Sequence, residues 1–150
     1  MAQTAFCRAN GCELVEVRRN NDSYQGWHDG THRTYRLAGG EHLEVAVRPG
    51  GWISNAFLFK PPAPLGTGLT LRERRLAAEF LTVVTGRRFT SQAVASCVAA
   101  GLAAQKRDPD VYGPPVPLSC WATPAGLPYK ACCGVAGAGP LGVWAGWRQQ

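Results

Sequence analysis

The stretch Phe89–Gln105, FTSQAVASCVAAGLAAQ, decides how the rest of the chain is arranged. Apolar side chains recur in it every four residues, which is the spacing of one helix face: Val94, Val98 and Leu102. The stretch therefore predicts a helix that buries this face and carries a single thiol, Cys97, beside it. A thiol in such surroundings is either a small core side chain or a nucleophile, and the stretch alone fits both.

The chemistry of the Cys97 thiol depends on where this helix begins. An N-cap at Ser91 puts Cys97 in the second turn, where the helix terminus has little influence on it. An N-cap at Ser96 makes Cys97 the first helical residue, where unpaired N–H groups and the helix dipole favour the thiolate. Both serines are suitable caps, so the sequence leaves the two alternatives open.

The N-terminal half of the chain predicts an antiparallel sheet. Glu13–Arg19, ELVEVRR, alternates as a strand does. The pair Gly39–Gly40 separates two extended runs, residues 32–37 and 42–48, and predicts a hairpin. Trp52–Phe59, WISNAFLF, predicts a further strand. Together these segments indicate a sheet of about four strands.

A second helix is predicted between the sheet and the Cys97 helix. Thr70 and Glu73 have the spacing of a capping box, and Gly86 provides a stop. The apolar face between them consists of Leu76, Phe80 and Val84. The predicted fold class is thus α+β, with about four antiparallel strands packed against two helices.

The sequence predicts a division of the chain near residue 105. Residues 1–105 would form the α+β domain, and residues 106–150 would form a segment rich in proline and glycine. Within that segment, Ala131–Trp147 carries no charge, but its glycines and Pro140 make it a poor membrane-spanning helix. We expect it to pack against the domain, to lack structure or to associate weakly with a membrane surface.

The composition of the chain indicates its cellular compartment and the kinds of partner that it can bind. The chain of 150 residues fits one soluble domain, and its formal net charge of +6 permits an acidic partner such as RNA or a membrane surface. Its six cysteines could form three disulfides, but no signal peptide is evident before them, which predicts the reducing cytosol. No motif indicates a cofactor.

A zinc site is an alternative use of the first histidines and cysteines. Cys7 and Cys12, followed by His28 and His32, have a C-x4-C…H-x3-H arrangement. Such a histidine pair normally lies on a helix, whereas Gly26, Gly30 and the extended run that follows them favour strand or turn. The metal site is therefore the weaker prediction.

The order of these elements resembles a known group of proteins. A first strand, a hairpin opening with His32-Arg-Thr-Tyr-Arg-Leu-Ala-Gly-Gly, two helices and Phe89-Thr-Ser-Gln-Ala-Val-Ala-Ser-Cys97-Val in the second helix follow one another. This order is similar to that of the H-box/NC 2A proteins of picornaviruses (kobuvirus-like), and of the related lecithin:retinol acyltransferase and H-rev-type thiol lipid enzymes. The chain departs from the pattern at Ser96, where that family has asparagine.

The resemblance implies an NlpC/LRAT-like thiol hydrolase fold and a catalytic set. By that resemblance, Cys97 would be the nucleophile and His32 the base, since imidazole can deprotonate a thiol near neutral pH. His42 would be the third member, and Glu44 is the alternative on the same strand face. Because Ser96 replaces the asparagine and the third member is not fixed, the sequence does not decide whether the chain is an enzyme.

The resemblance also implies a role. The expected function is that of a viral non-structural protein that acts in genome replication or binds host or viral replication proteins, without strong catalytic turnover. Its expected location is the host cytoplasm, including replication membranes. The alternatives are an active thiol acyltransferase or phospholipase that acts on lipid esters, and a basic RNA-binding accessory domain.

Overall fold

The computed structural model describes residues 4–20, 30–48, 53–60, 68–107, 119–120, 129–135 and 141–147. Its helices are α1 (Ala5–Asn10), α2 (Leu71–Thr85) and α3 (Ser91–Arg107). Its strands are β1 (Glu13–Asn20), β2 (Gly30–Arg36), β3 (His42–Val47), β4 (Ile53–Phe59), β5 (Ser119–Cys120), β6 (Tyr129–Val135) and β7 (Leu141–Trp147).

The strands form one antiparallel sheet in the order β1-β2-β3-β4-β7-β6-β5. The predicted α+β class is confirmed, and the four predicted strands correspond to β1–β4. The sheet is larger than predicted because residues 119–147 contribute three further strands. The boundary predicted at residue 105 therefore does not divide this sheet, since β7 pairs directly with β4.

The predicted hairpin joins β2 to β3. Gly40 adopts a positive φ of 86°, a conformation that glycine tolerates best, and its N–H donates to the carbonyl of Leu37. The turn sets the pairing of Arg36 with His42 and of Tyr35 with Leu43. The glycine pair thus fixes which residues of the two strands share a face.

The capping box predicted for α2 is present. Thr70 accepts a hydrogen bond from the Glu73 N–H, and the Glu73 carboxylate accepts one from the Thr70 N–H. Gly86 ends the helix with a φ of 72°. The predicted apolar face is buried, as Leu76, Phe80 and Val84 all belong to the core.

Helix α3 begins at Ser91, and neither predicted serine is its cap. The Thr90 hydroxyl accepts a hydrogen bond from the Ala93 N–H at 3.1 Å, and the Thr90 carbonyl accepts one from Val94. Cys97 consequently lies in the second turn, away from the unpaired N–H groups of the helix terminus. The local arrangement that would favour a thiolate is absent.

The core lies between one sheet face and the three helices, and we call this face the helix face. One row of register partners crosses it through Tyr35, Leu43, Leu58, Val143 and Cys133. All five side chains are buried in the same cluster as residues of α1, α2 and α3. In the part of the chain that the structure describes, no helix lies on the opposite face, which we call the open face.

A polar contact docks the β2–β3 hairpin against α2. The carboxylate of Glu41 is almost fully buried and accepts two hydrogen bonds from the guanidinium of Arg72. Hydrogen bonding to Glu41 and the charge of its carboxylate raise the pKa of Arg72 above its ordinary value. The Arg72 side chain passes directly over Gly39, where an added Cβ would collide with it.

The uncharged stretch 131–147 contains most of the β6–β7 hairpin. Ala131, Cys133, Val143 and Ala145 are buried in the core, so the described part of this stretch packs within the domain. No helix among the described residues is long and apolar enough to cross a membrane.

Candidate functional site

The predicted nucleophile is part of a disulfide. Cys97 on α3 is bonded to Cys133 on β6, with a Cα–Cα distance of 6.3 Å, and both side chains are buried. A sulfur in a disulfide has no thiol to deprotonate and cannot attack an ester. In this structure Cys97 therefore links α3 to the sheet, which corrects the expectation of a free thiol.

The predicted base lies far from Cys97. His32 is on β2 opposite Ala46 of β3, in a row that belongs to the open face, whereas Cys133 and its partner lie on the helix face. Three strands separate β2 from β6, so at a spacing of about 4.8 Å their backbones are roughly 19 Å apart. The structure does not bring His32 and Cys97 together.

The third predicted residue is not beside the base either. His42 pairs with Arg36, four residues from His32 along β2, which corresponds to roughly 13 Å. Glu44 pairs with Thr34 and is diagonal to His32 on the same face. Both His42 and Glu44 are exposed. The set His32, Cys97 and His42 is thus not assembled here, and we propose no catalytic role for it.

The zinc alternative loses two of its ligands. Cys7 and Cys12 are joined to each other in a disulfide that spans the end of α1, and His28 lies outside the described residues. The described residues contain no group of three or more metal-ligating side chains.

A third described disulfide involves Cys132, which neighbours Cys133 on β6. Successive residues of a strand point to opposite faces, so Cys132 lies on the open face while Cys133 binds α3. Its register partner on β5 is Cys120. Oxidised cysteines thus occur on both faces of β6.

The open face contains a row of aromatic register positions. Phe57 on β4 lies between Glu44 of β3 and Trp144 of β7. Phe59 on the same strand lies between His42 and Gly142. The two phenylalanine rings are stacked, with centroids 5.8 Å apart and planes 10° apart. Both side chains are half-buried.

We call Phe57, Phe59, His42 and Glu44 the aromatic patch. The phenylalanines present partly exposed apolar surface, and the exposed imidazole and carboxylate border it on β3. Gly142 lies beside Phe59 on β7, and a Cβ there would lie 2.6 Å from the Phe59 ring and from the Leu58 carbonyl oxygen. The absence of a side chain lets the Phe59 ring rest against β7.

Charges of both signs lie beyond the patch on β1 and β2. Arg36 donates to Glu13 at 2.7 Å, and Arg18 donates to Glu16 at 2.6 Å. In each pair the hydrogen bond and the carboxylate charge raise the pKa of the arginine. With Glu44, the open face of β1, β2 and β3 holds three carboxylates against these two arginines, so this part of the face is not a basic surface.

The fold and this site define a class: an α+β domain stabilised by disulfides, with helices on one face of its sheet and an aromatic patch on the other. No protein-family model matches the chain, no curated protein matches its sequence, and no solved structure matches its fold. The resemblance to the H-box/NC proteins accordingly rests on the order of elements described above.

The aromatic patch has a signal in the sequence, although no catalytic or metal-binding motif includes it. Phe57 and Phe59 are two residues apart in a predicted strand, so they were bound to share a face. Leu58 and Ala56 alternate with them and are the residues that enter the core. What the sequence did not supply was the position of β7, which places Gly142 beside Phe59.

Proposed function

We propose that this chain is a binding domain that recognises a protein partner through its aromatic patch. The observation that carries the proposal is the stacked, partly exposed pair Phe57 and Phe59, set beside exposed His42 and Glu44 on the open face. A stacked ring pair at a surface offers a rigid apolar contact that loses little conformational freedom when a partner binds.

The surroundings of the patch favour a protein partner. Protein interfaces are enriched in aromatic residues and arginine at their centres and carry polar groups at their rims. Here the rings are bordered by one imidazole and one carboxylate on β3, and the Arg36–Glu13 ion pair lies beyond them on β2 and β1. These groups can donate to and accept from a polypeptide backbone, while the rings bury an apolar side chain of the partner.

RNA is the less suitable ligand for this face. Aromatic rings on a sheet can stack on bases, but the backbone of RNA requires basic groups beside them. Glu13, Glu16 and Glu44 lie on the open face, where they would repel phosphates, and Arg36 and Arg18 are already paired with two of them. RNA binding is therefore an alternative outcome of the experiment below.

The resemblance stated above implies a biological setting for such a binder, namely a viral non-structural protein that binds host or viral replication proteins in the cytoplasm. The disulfides favour another compartment, because structural disulfides persist in oxidising environments and are rare in the cytosol. The cytoplasmic location stays a prediction, and non-reducing mass spectrometry of the protein isolated from its natural compartment tests it.

The proposal is tested by comparing patch variants with a matched surface variant. Proteins captured from a cell extract by the unmodified chain are compared with those captured by Phe57→Ser and by Val83→Ser, because Val83 is an exposed apolar residue on α2. One protein lost only with Phe57→Ser is then purified and titrated. We expect its affinity for Phe57→Ser to fall at least about tenfold, with Val83→Ser unchanged.

Two outcomes would contradict the proposal. One is equal affinity of the purified partner for the unmodified chain and Phe57→Ser. The other is salt-sensitive binding of a labelled single-stranded RNA that Phe57→Ser abolishes, which would make the patch a nucleic-acid site. Circular dichroism and the intact disulfide mass establish that each variant is folded.

A further inference from the structure

Strand β1 is at one edge of the sheet, and it exposes apolar side chains. It pairs with β2 on one side, and no described strand pairs with its other side. Leu14, Val15 and Val17 are each at least half exposed. Every second residue of an edge strand directs its N–H and C=O away from the sheet, which makes such an edge a template for another strand.

The charges of β1 are arranged around Val17. Glu16 precedes it and Arg18 follows it, and both belong to the open face, opposite Thr34 and His32 of β2. Val17 itself belongs to the helix face, opposite Arg33, beyond the area that the helices cover. The three side chains at the centre of the strand, Glu16, Val17 and Arg18, are therefore acidic, apolar and basic in that order.

This order is self-complementary in an antiparallel pair. When a strand pairs with its own copy about a two-fold axis, one residue lies opposite itself and its neighbours lie opposite each other. With Val17 on the axis, Glu16 faces Arg18 of the second copy, and Arg18 faces the second copy's Glu16. Because Glu16 and Arg18 of one chain already form an ion pair at 2.6 Å, the four groups make an alternating network in which each charge has two opposite neighbours. An apolar pair is then flanked by two oppositely charged pairs, and both kinds of pair stabilise sheets.

The neighbouring registers lack this complementarity. Directly opposite residues must share a face, so the residue on the axis sets the whole register. An axis at Glu16 puts two carboxylates opposite each other, and an axis at Arg18 puts two guanidinium groups opposite each other; both arrangements are unfavourable. A bulge at Val15, where the register with β2 shifts, limits the regular ladder about Val17 to residues 16–18, because Arg19 would face Val15 of the second copy.

We propose that β1 pairs with β1 of a second copy of this chain, antiparallel and with Val17 on the two-fold axis. The resulting dimer has one continuous sheet of both chains. Its two aromatic patches lie on the same side of that sheet, because a two-fold axis normal to a sheet keeps its faces matched. The proposal is independent of the partner bound by the patch.

Sedimentation equilibrium of the full chain tests the pairing through charge reversal. The protein is measured between roughly 10 µM and 1 mM, the range in which weak interfaces dissociate. Glu16→Arg places arginine opposite Arg18, and Arg18→Glu places glutamate opposite Glu16. We expect each single variant to weaken dimerisation at least about tenfold, and the double variant Glu16→Arg/Arg18→Glu to restore it, since the pairs are then merely exchanged.

Two further variants distinguish pairing at β1 from nonspecific self-association. Val17→Lys puts two ammonium groups on the axis and should abolish the dimer, whereas Val83→Lys on α2 should leave it unchanged. Val17, Arg18 and Val83 are exposed and Glu16 is partly exposed, so none of the variants changes a core side chain and all are expected to fold. The proposal is overturned if the unmodified chain is monomeric throughout this range, or if the double variant dimerises no better than the single ones.

Discussion

The two faces of the sheet are built from the same strands and differ in what covers them. On β3, Leu43 and Val45 enter the helix face and are fully buried, whereas His42 and Glu44 on the open face are exposed. Neighbouring residues of β3 thus lie in different surroundings, one in the core and the next at the surface. The helix face provides stability, and the open face is where the proposed recognition occurs.

The helix face is held by covalent bonds as well as by packing. The Cys97–Cys133 disulfide joins α3 to β6 across 36 residues of sequence, and the Cys7–Cys12 disulfide closes a loop of only five. A cross-link removes more entropy from the unfolded chain when it closes a longer loop. Removing Cys97 should therefore lower the stability of the helix face more than removing Cys7.

The largest effect is expected for Cys97→Ala. By the loop-entropy relation, loss of this cross-link lowers the free energy of unfolding by about 4 kcal/mol, measured by urea denaturation without reductant. Cys133→Ala and the double variant should lose the same amount, because all three lack the same bond. Cys7→Ala, which opens the short loop, should lose about 2 kcal/mol.

Alkylation of the folded protein without reductant separates the disulfide from the catalytic alternative. Cys97 of the unmodified chain should remain unlabelled, and Cys133 should become free in Cys97→Ala. Selective labelling of Cys97 that disappears in His32→Ala would show a reactive thiol with a histidine base, and would contradict the arrangement described here.

The next effect compares adjacent residues of β3. Leu43→Ala removes a fully buried side chain from the core and should destabilise the domain by about 3 kcal/mol. Glu44→Ala changes an exposed side chain on the open face and should alter the free energy of unfolding by less than about 0.5 kcal/mol. Thermal or urea denaturation measures both, and equal losses would show that Glu44 is buried and not exposed.

Local signals in the sequence were sufficient to predict much of this fold. The Gly39–Gly40 turn, the Thr70–Glu73 capping box and the alternation in β1 to β4 each depend on residues close in sequence. The last two long strands were missed because Ala131–Trp147 is rich in glycine and small residues, which have weak strand propensity. What makes them strands is pairing with β4 and with each other, and that is a non-local contact.

The predicted site shows the same limitation in another form. His32 and Cys97 were paired by their order along the chain, but the chain places them on different faces of the sheet. Their separation depends on the position of β6, the strand that carries Cys133, and nothing near Cys97 in sequence specifies it. The period-two spacing of Phe57 and Phe59 is enough to predict that they share a face. The close approach of the Phe59 ring to Gly142 is not predictable in this way, because it depends on the position of β7.

Gly142 lies against both the Phe59 ring on the open face and the backbone of Leu58, whose side chain is in the core. Its substitution should cause a smaller loss of stability than Cys97→Ala or Leu43→Ala. Gly142→Ala adds a methyl group 2.6 Å from the Phe59 ring on the open face and 2.6 Å from the Leu58 carbonyl oxygen within the sheet. The ring can turn away but the carbonyl cannot, so we expect a loss of about 2 kcal/mol. Gly68→Ala is the matched control, because nothing lies within 4 Å of its added Cβ, and its stability should be unchanged or slightly raised.

If Gly142→Ala destabilises the domain and also moves the Phe59 ring signals in NMR spectra, the patch geometry depends on the same strand pairing that forms the core. If the domain is as stable as the unmodified chain and those signals are unchanged, β7 does not lie beside β4 in this register.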